Sequence, residues 1–396
     1  MRQSACVLLS LVAGCASMQQ DARVRRQAEA VVWGAMSAPS PALRAQATRI
    51  AADVADPLLD RGLGPRMSDP SPTVRATAAV AMVRQTPAAT EVLRAILDGD
   101  DADAKVIALD AIGALDDKGA RLPRLAADRD ARVRARSATA IAQWKPTDAR
   151  ALLGKLLHDD DAGVRGQALA GLALLGDRGA LGDIATAFDD PSLGVRLSAL
   201  GALVRLGRET AGRQLLALAA GANNDRYVAL RAAVQLSRAG RTQAALSAVR
   251  VAADDRDAAV RAAAMNAAGE LGQDGYTLAA AHLSDAAVDV RLAAARAVIA
   301  TGRRDAALPT LVGALATPRR LDAADELARL GDARGLAELQ ASVRASDARE
   351  RRVALSMLVP LPAGRDALVA ALADGDAEIR LDAAGALLRR LLRYDR

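Results

Sequence analysis

Asp161-Ala-Gly-Val164-Arg165-Gly-Gln-Ala168-Leu169-Ala-Gly-Leu172-Ala-Leu-Leu175-Gly176-Asp177 reads as one helix with its start and stop signals in place. Asp161 can accept from the free N–H groups of a first turn, a cap worth about 1 kcal/mol. Val164, Ala168, Leu172 and Leu175 then recur at helical spacing, which marks one buried stripe. Gly176 suits the left-handed residue that closes a helix. A second helix is predicted over 180–188, after which the phrase begins again.

The phrase returns along the whole chain at intervals of about 30 residues. Its cap falls at Ser40, Ser71, Asp101, Asp130, Asp161, Ser192, Asp225, Asp257, Ala287, Thr317, Asp347 and Asp376, and only Ala287 lacks a capping side chain. Ser40-Pro41, Ser71-Pro72 and Thr317-Pro318 place proline where a first helical residue is expected. A pair of helices this short cannot cover its own apolar faces, so neighbouring pairs must stack. The 396 residues therefore predict an all-α, right-handed α-solenoid of about twelve helical hairpins. Hydrophobic residues make up 52% and aromatics 2%, which implies a core of Ala, Leu and Val with closely spaced helices.

The formal charge is +6, with acidic and basic residues interleaved. Lysine stands only at 105, 118, 145 and 155, and the remaining positive charge is arginine. A basic residue follows the apolar residue of the phrase at Arg44, Arg75, Lys105, Arg134, Arg165, Arg196, Arg261, Arg291, Arg351 and Arg380. A cation near a helix N-terminus opposes the helix dipole, so each needs a compensating partner. The expected partners are loop aspartates that accept a bidentate guanidinium. The ladder is drawn from Arg75, Arg134, Arg165, Arg196, Arg261, Arg291 and Arg380 with Asp130, Asp161, Asp257 and Asp376. A phosphate-binding stripe, for nucleic acid or another polyanion, is the alternative use of the same arginines.

The repeating phrase, with its Ala-Ala stretch and closing Leu-Gly as in Asp257 to Gly272, resembles the short HEAT-like repeats of bacterial proteins, including those of phycobilisome lyases. The resemblance implies that the helix carrying Val-Arg lines the concave side of the solenoid. Thr77, Arg136, Gln167, Ser198 and Arg231 would then form a partner-binding face. It also raises enzymes of the same fold. The deoxyhypusine hydroxylases hold iron through His-Glu pairs, whereas here His158 precedes Asp159 and His282 precedes Leu283. The aromatic-lined groove of the HEAT-like glycosylases has no counterpart among the scattered Trp33, Trp144, Phe188, Tyr227, Tyr276 and Tyr394. No catalytic residue, metal site or cofactor is assigned. An accessory role to an enzyme, as in the lyases, stays open.

The N-terminus reads as an address. Arg2 precedes an apolar stretch from Ala5 to Ala13, too short to span a bilayer. Leu11-Val12-Ala13-Gly14-Cys15 resembles the lipobox of bacterial lipoproteins. That resemblance implies a signal peptide at 1–14, a lipid on Cys15 with a short linker at 15–20, and a repeat body at 21–396. With Ala16 after the cysteine, it implies the outer membrane and a periplasmic orientation. The expected protein is a monomeric, non-enzymatic scaffold tethered to a membrane and binding a protein partner. Repeat regularity fails around residues 317–362, where Glu350 and Val359-Pro360-Leu361-Pro362 interrupt the phrase. Leu387 to Arg396 is expected to form a polar end cap.

Overall fold

The capping aspartates of the phrase meet the backbone as their chemistry requires. The computed structural model describes residues 2–206, 211–220 and 225–392, with side chains described from Gln19 onward except at 211, 212 and 214. Asp161, in extended conformation, accepts from the Val164 N–H, and the helix Ala162–Leu175 ends at Gly176 with φ 75°. Asp101, Asp130, Asp225, Asp257 and Asp347 cap their helices in the same way. Among the described residues the regular structure is helical, with no strand. The fold is an all-α solenoid.

Three positions depart from this capping, among them Ser71, whose hydroxyl meets that of Thr73 at 2.8 Å instead of a backbone N–H. Ala287 has no side chain to offer, and the Asp285 carboxylate instead holds the Ala287 N–H at 2.8 Å. Thr317 does not begin a helix, and Pro318 is not a first helical residue. The helix is Arg320–Arg329, while the Thr317 hydroxyl donates back to the Ala314 carbonyl and closes a turn. Gly207 stands in the unit of Ser192 where Gly176 stands in its own, as the residue to close the helix, and it lies outside the described residues.

The chain forms two compact units, one of residues 116–335 and one of residues 1–115 with 336–396. In the first of these, the helices Ala131–Trp144, Ala162–Leu175, Leu193–Leu206, Arg226–Arg238, Ala258–Glu270 and Val288–Ala300 lie side by side, each packed on the next. Shorter helices such as Ala149–Leu156 sit behind them, each spanning two neighbours. Val133, Val164, Val195, Val228, Val260 and Val290, the apolar residues of the phrase, are all buried.

The other unit holds both ends of the chain. The last helix, Ala377–Leu392, packs on the first, Arg2–Ala35, and on the second, Pro41–Val54. The first helix also packs on the second. It thus takes the place that Ala149–Leu156 takes between Ala131–Trp144 and Ala162–Leu175. Among the described residues the repeat that begins at Asp376 shows the helix Ala377–Leu392, and the N-terminal segment packs behind it. Val24, Ala28 and Val32 enter a common core with Ile50, Ile379, Leu387 and Leu388. Each large side chain buried there contributes about 1.5–3 kcal/mol.

The expected polar cap at Leu387 to Arg396 is therefore corrected. Leu387 and Leu388 are fully buried because the first helix covers them, while residues 393–396 lie outside the described residues. Among the described residues no helix is long and apolar enough to cross a membrane. The Cys15 side chain is outside the described set.

Candidate protein-binding face

The recurring arginines are held by several hydrogen bonds each. Arg134 lies flat across the loop that precedes the next repeat, with Nε and Nη2 each donating to Asp159 at 2.7 Å. Its Nη1 donates to the Asp128 and Arg129 carbonyls of its own loop. Four hydrogen bonds from one guanidinium thus join two consecutive loops. The same arrangement pairs Arg44 with Asp69, Arg165 with Asp190, Arg261 with Asp285 and Arg351 with Asp374. Arg196 pairs with Asp225 at 2.6 Å.

The acceptors are not the aspartates expected from the phrase. Asp130, Asp161, Asp257 and Asp376 are occupied as N-caps. The rung carboxylate usually stands two residues before the cap, where it also accepts the cap residue's N–H, as Asp159 does from Asp161 at 2.9 Å. Where that position is not acidic, the fork either takes the cap aspartate, as Arg196 takes Asp225 with Asn223 at that position of the sequence, or has no such carboxylate. Arg75 faces the register of Gly99 and Arg291 that of Leu315, and both donate to the carbonyls of their own loops. Arg380, in the last repeat, does the same.

The electrostatics follow from this geometry. The Arg134 fork holds Asp159 below the ordinary carboxylate range, and Arg165, Arg261 and Arg351 do the same for Asp190, Asp285 and Asp374. At Asp69 burial is the largest influence and pulls upward. The Arg44 fork and the Ser71 N–H together outweigh it. The guanidinium groups of these rungs are committed inside the body, which leaves little of them for an external anion.

The five residues expected on a binding face divide. Thr77 is buried and donates to the Thr73 carbonyl at 2.8 Å, so it is withdrawn from any surface. Ser198 is half-buried and donates to the Gly194 carbonyl. Arg136 is half-buried; Gln167 and Arg231 are exposed, with Gln167 accepting from Thr139 at 3.3 Å. In the unit of residues 116–335, Arg231 borders a cavity of about 240 Å³ with Leu197, Tyr227, Val234, Asn266 and Glu270. Three side-by-side helices supply its walls. Glu270 also accepts from Arg238 at 2.7 Å, which fixes one rim.

Tyr227, Asn266 and Glu270 were not singled out in the sequence. Tyr227 occupies the first turn after the Asp225 cap, where other units carry small or charged residues, and that contrast was the available signal. His158 lines a different cavity beside Arg165 and Asp190, and His282 is held between the Leu278 and Ala253 carbonyls. Among the described residues no cluster of His, Cys, Asp and Glu is arranged to hold a metal ion.

Comparison with known proteins agrees with the repeat. The HEAT repeat family matches residues 119–204 and 155–233. That part of the chain carries HEAT repeats. No curated protein matches the sequence. Among solved structures, the CpcE and CpcF complex of phycocyanin lyase from Nostoc is similar at 18% identity over 62% of this chain and 94% of that one, with a TM-score of 0.34. The Escherichia coli protein YibA matches at 17% identity over 74% and 99%, TM-score 0.35. A mutant of the karyopherin Kap121p matches at 12% identity over 97% and 51%, TM-score 0.42. These scores are low, and the fold assignment rests on the repeat geometry itself.

Proposed function

We propose that this protein is a non-enzymatic scaffold that binds another protein along the exposed edge of its side-by-side helices. The observation that carries the reading is the groove at Tyr227, Arg231 and Asn266. There an aromatic ring, a cation and amide chemistry converge over an apolar floor on a rigid row of helices. Binding would be modest per repeat and would accumulate along the row. We further propose that a lipid on Cys15 tethers the scaffold to the bacterial envelope, at the outer membrane and facing the periplasm. The lipobox resemblance supports that part.

A photocrosslinker placed at position 231 in the native cell tests the first claim. It should trap a defined protein, and the yield should fall at least tenfold when Tyr227 is changed to Ala. The same crosslinker at Val251, on a rear helix, should trap none of it. Equal yields from both positions would contradict the assignment. Cys15→Ser should move the protein from the membrane to the soluble fraction, and unchanged membrane attachment would refute the tether.

A further inference from the structure

A second groove lies in the unit that holds both chain ends, and its chemistry differs from that of the first. Its volume is about 440 Å³, between the helices Ala348–Leu358 and Ala377–Leu392. Leu355 and Ala386 form an apolar floor, with Val353 and Val359 on the walls. Val353 and Val359 are two of the seven large apolar side chains exposed among the described residues, and both line this cavity. Val353 stands in the register where other repeats carry Gln46, Arg136, Gln167 and Arg231. Ile107 is apolar in the same register but is half-buried, whereas Val353 is exposed, which is the combination a binding surface needs.

The rim is cationic. Arg349, Arg352 and Arg389 line it against one carboxylate, Asp382. Asp382 is already engaged on both oxygens, by Arg352 Nε at 2.8 Å and by Gln46 Nε2 at 2.6 Å. Arg352 also pairs with Glu378. Arg349 and Arg389 have no carboxylate partner among the described residues and are exposed. The groove therefore offers an apolar slot between two guanidinium groups on a rim held in place by the Arg352, Asp382 and Gln46 contacts.

We propose that this groove binds an acidic segment of a partner protein, one that inserts an apolar side chain between Val353 and Val359 and sets carboxylates on Arg349 and Arg389. Charge complementarity selects this occupant: a basic segment would meet two unpaired cations, and a purely apolar one would strand them. The proposal rests on the protein-binding reading above and names a partner class at a different place on the molecule.

The test is selection of a random dodecapeptide phage library on the intact protein, with counter-selection on an Arg349→Glu/Arg389→Glu variant. Enriched peptides should carry an aliphatic residue flanked by Asp or Glu. A fluorescein-labelled enriched peptide should bind the double variant at least tenfold more weakly, and Val353→Asp should weaken it by a similar factor. Tyr227→Ala should leave its affinity unchanged, which separates this site from the Tyr227 groove. Circular dichroism and the Tm of each variant check that it is folded. No enrichment, enrichment without acidic residues, or equal affinity for the double variant would overturn the proposal.

Discussion

Gly385 of the last helix faces Ile50 of the second so closely that a Cβ on the glycine would lie 3.0 Å from Ile50 Cδ1. The absence of a side chain at 385 lets a C-terminal repeat seat against an N-terminal one. Gly385→Leu should therefore lower stability by about 1–3 kcal/mol through overpacking, although glycine is the poorer helix former. Urea unfolding of the variant measures the loss.

The first helix packs behind Ala377–Leu392 as a rear helix packs behind its repeat. Removing residues 1–35 would expose Leu387 and Leu388, which it covers. Amide hydrogen exchange across 377–392 should then accelerate at least tenfold in the truncated protein. Unchanged protection would mean that the last helix is stable without its N-terminal cover.

Arg75 lacks the acidic residue that Arg44, Arg134 and Arg165 face, and Gly99 occupies that register. Gly99 has φ −78°, open to any residue, and a Cβ there would make ordinary contacts with the Ala95 and Ile96 carbonyls. Gly99→Asp should restore the rung and stabilise the protein by about 0.5–1 kcal/mol. The gain should vanish in an Arg75→Ala background. Thermal unfolding of the two variants, alone and combined, checks both statements.

Acid should loosen the rungs together. Asp159, Asp190, Asp285 and Asp374 have folded pKa values below the unfolded value, near 3.9 for aspartate. Their contribution is present above the unfolded value and is lost as pH falls through the lower folded values. The Tm should be nearly level from pH 7 to 5 and drop below about pH 4. In Asp159→Asn the drop should be shallower.

The fold was legible because it is written many times over. Any one cap or stripe is weak evidence, whereas repetition at a fixed interval leaves few alternatives to stacked hairpins. The arginine series was legible as a structural feature, since a cation in a first turn demands a partner. Which aspartate answered it was not, because loops such as 128–130 and 159–161 carry two acidic positions, and helix capping claims the second. The meeting of Ile50 with Gly385 was illegible for another reason: it joins residues from opposite ends of the chain, and no local pattern encodes it. Thr77 misled because a threonine in a helix can turn its hydroxyl onto its own backbone.

The central claim is that arginine and aspartate join neighbouring repeats, and a double-mutant cycle on Arg134 and Asp159 tests it most directly. With Arg134→Ala and Asp159→Asn, unfolding free energies should give a coupling of about 1–2 kcal/mol, as for a charged, partly buried fork. A coupling within about 0.3 kcal/mol of zero would contradict the account.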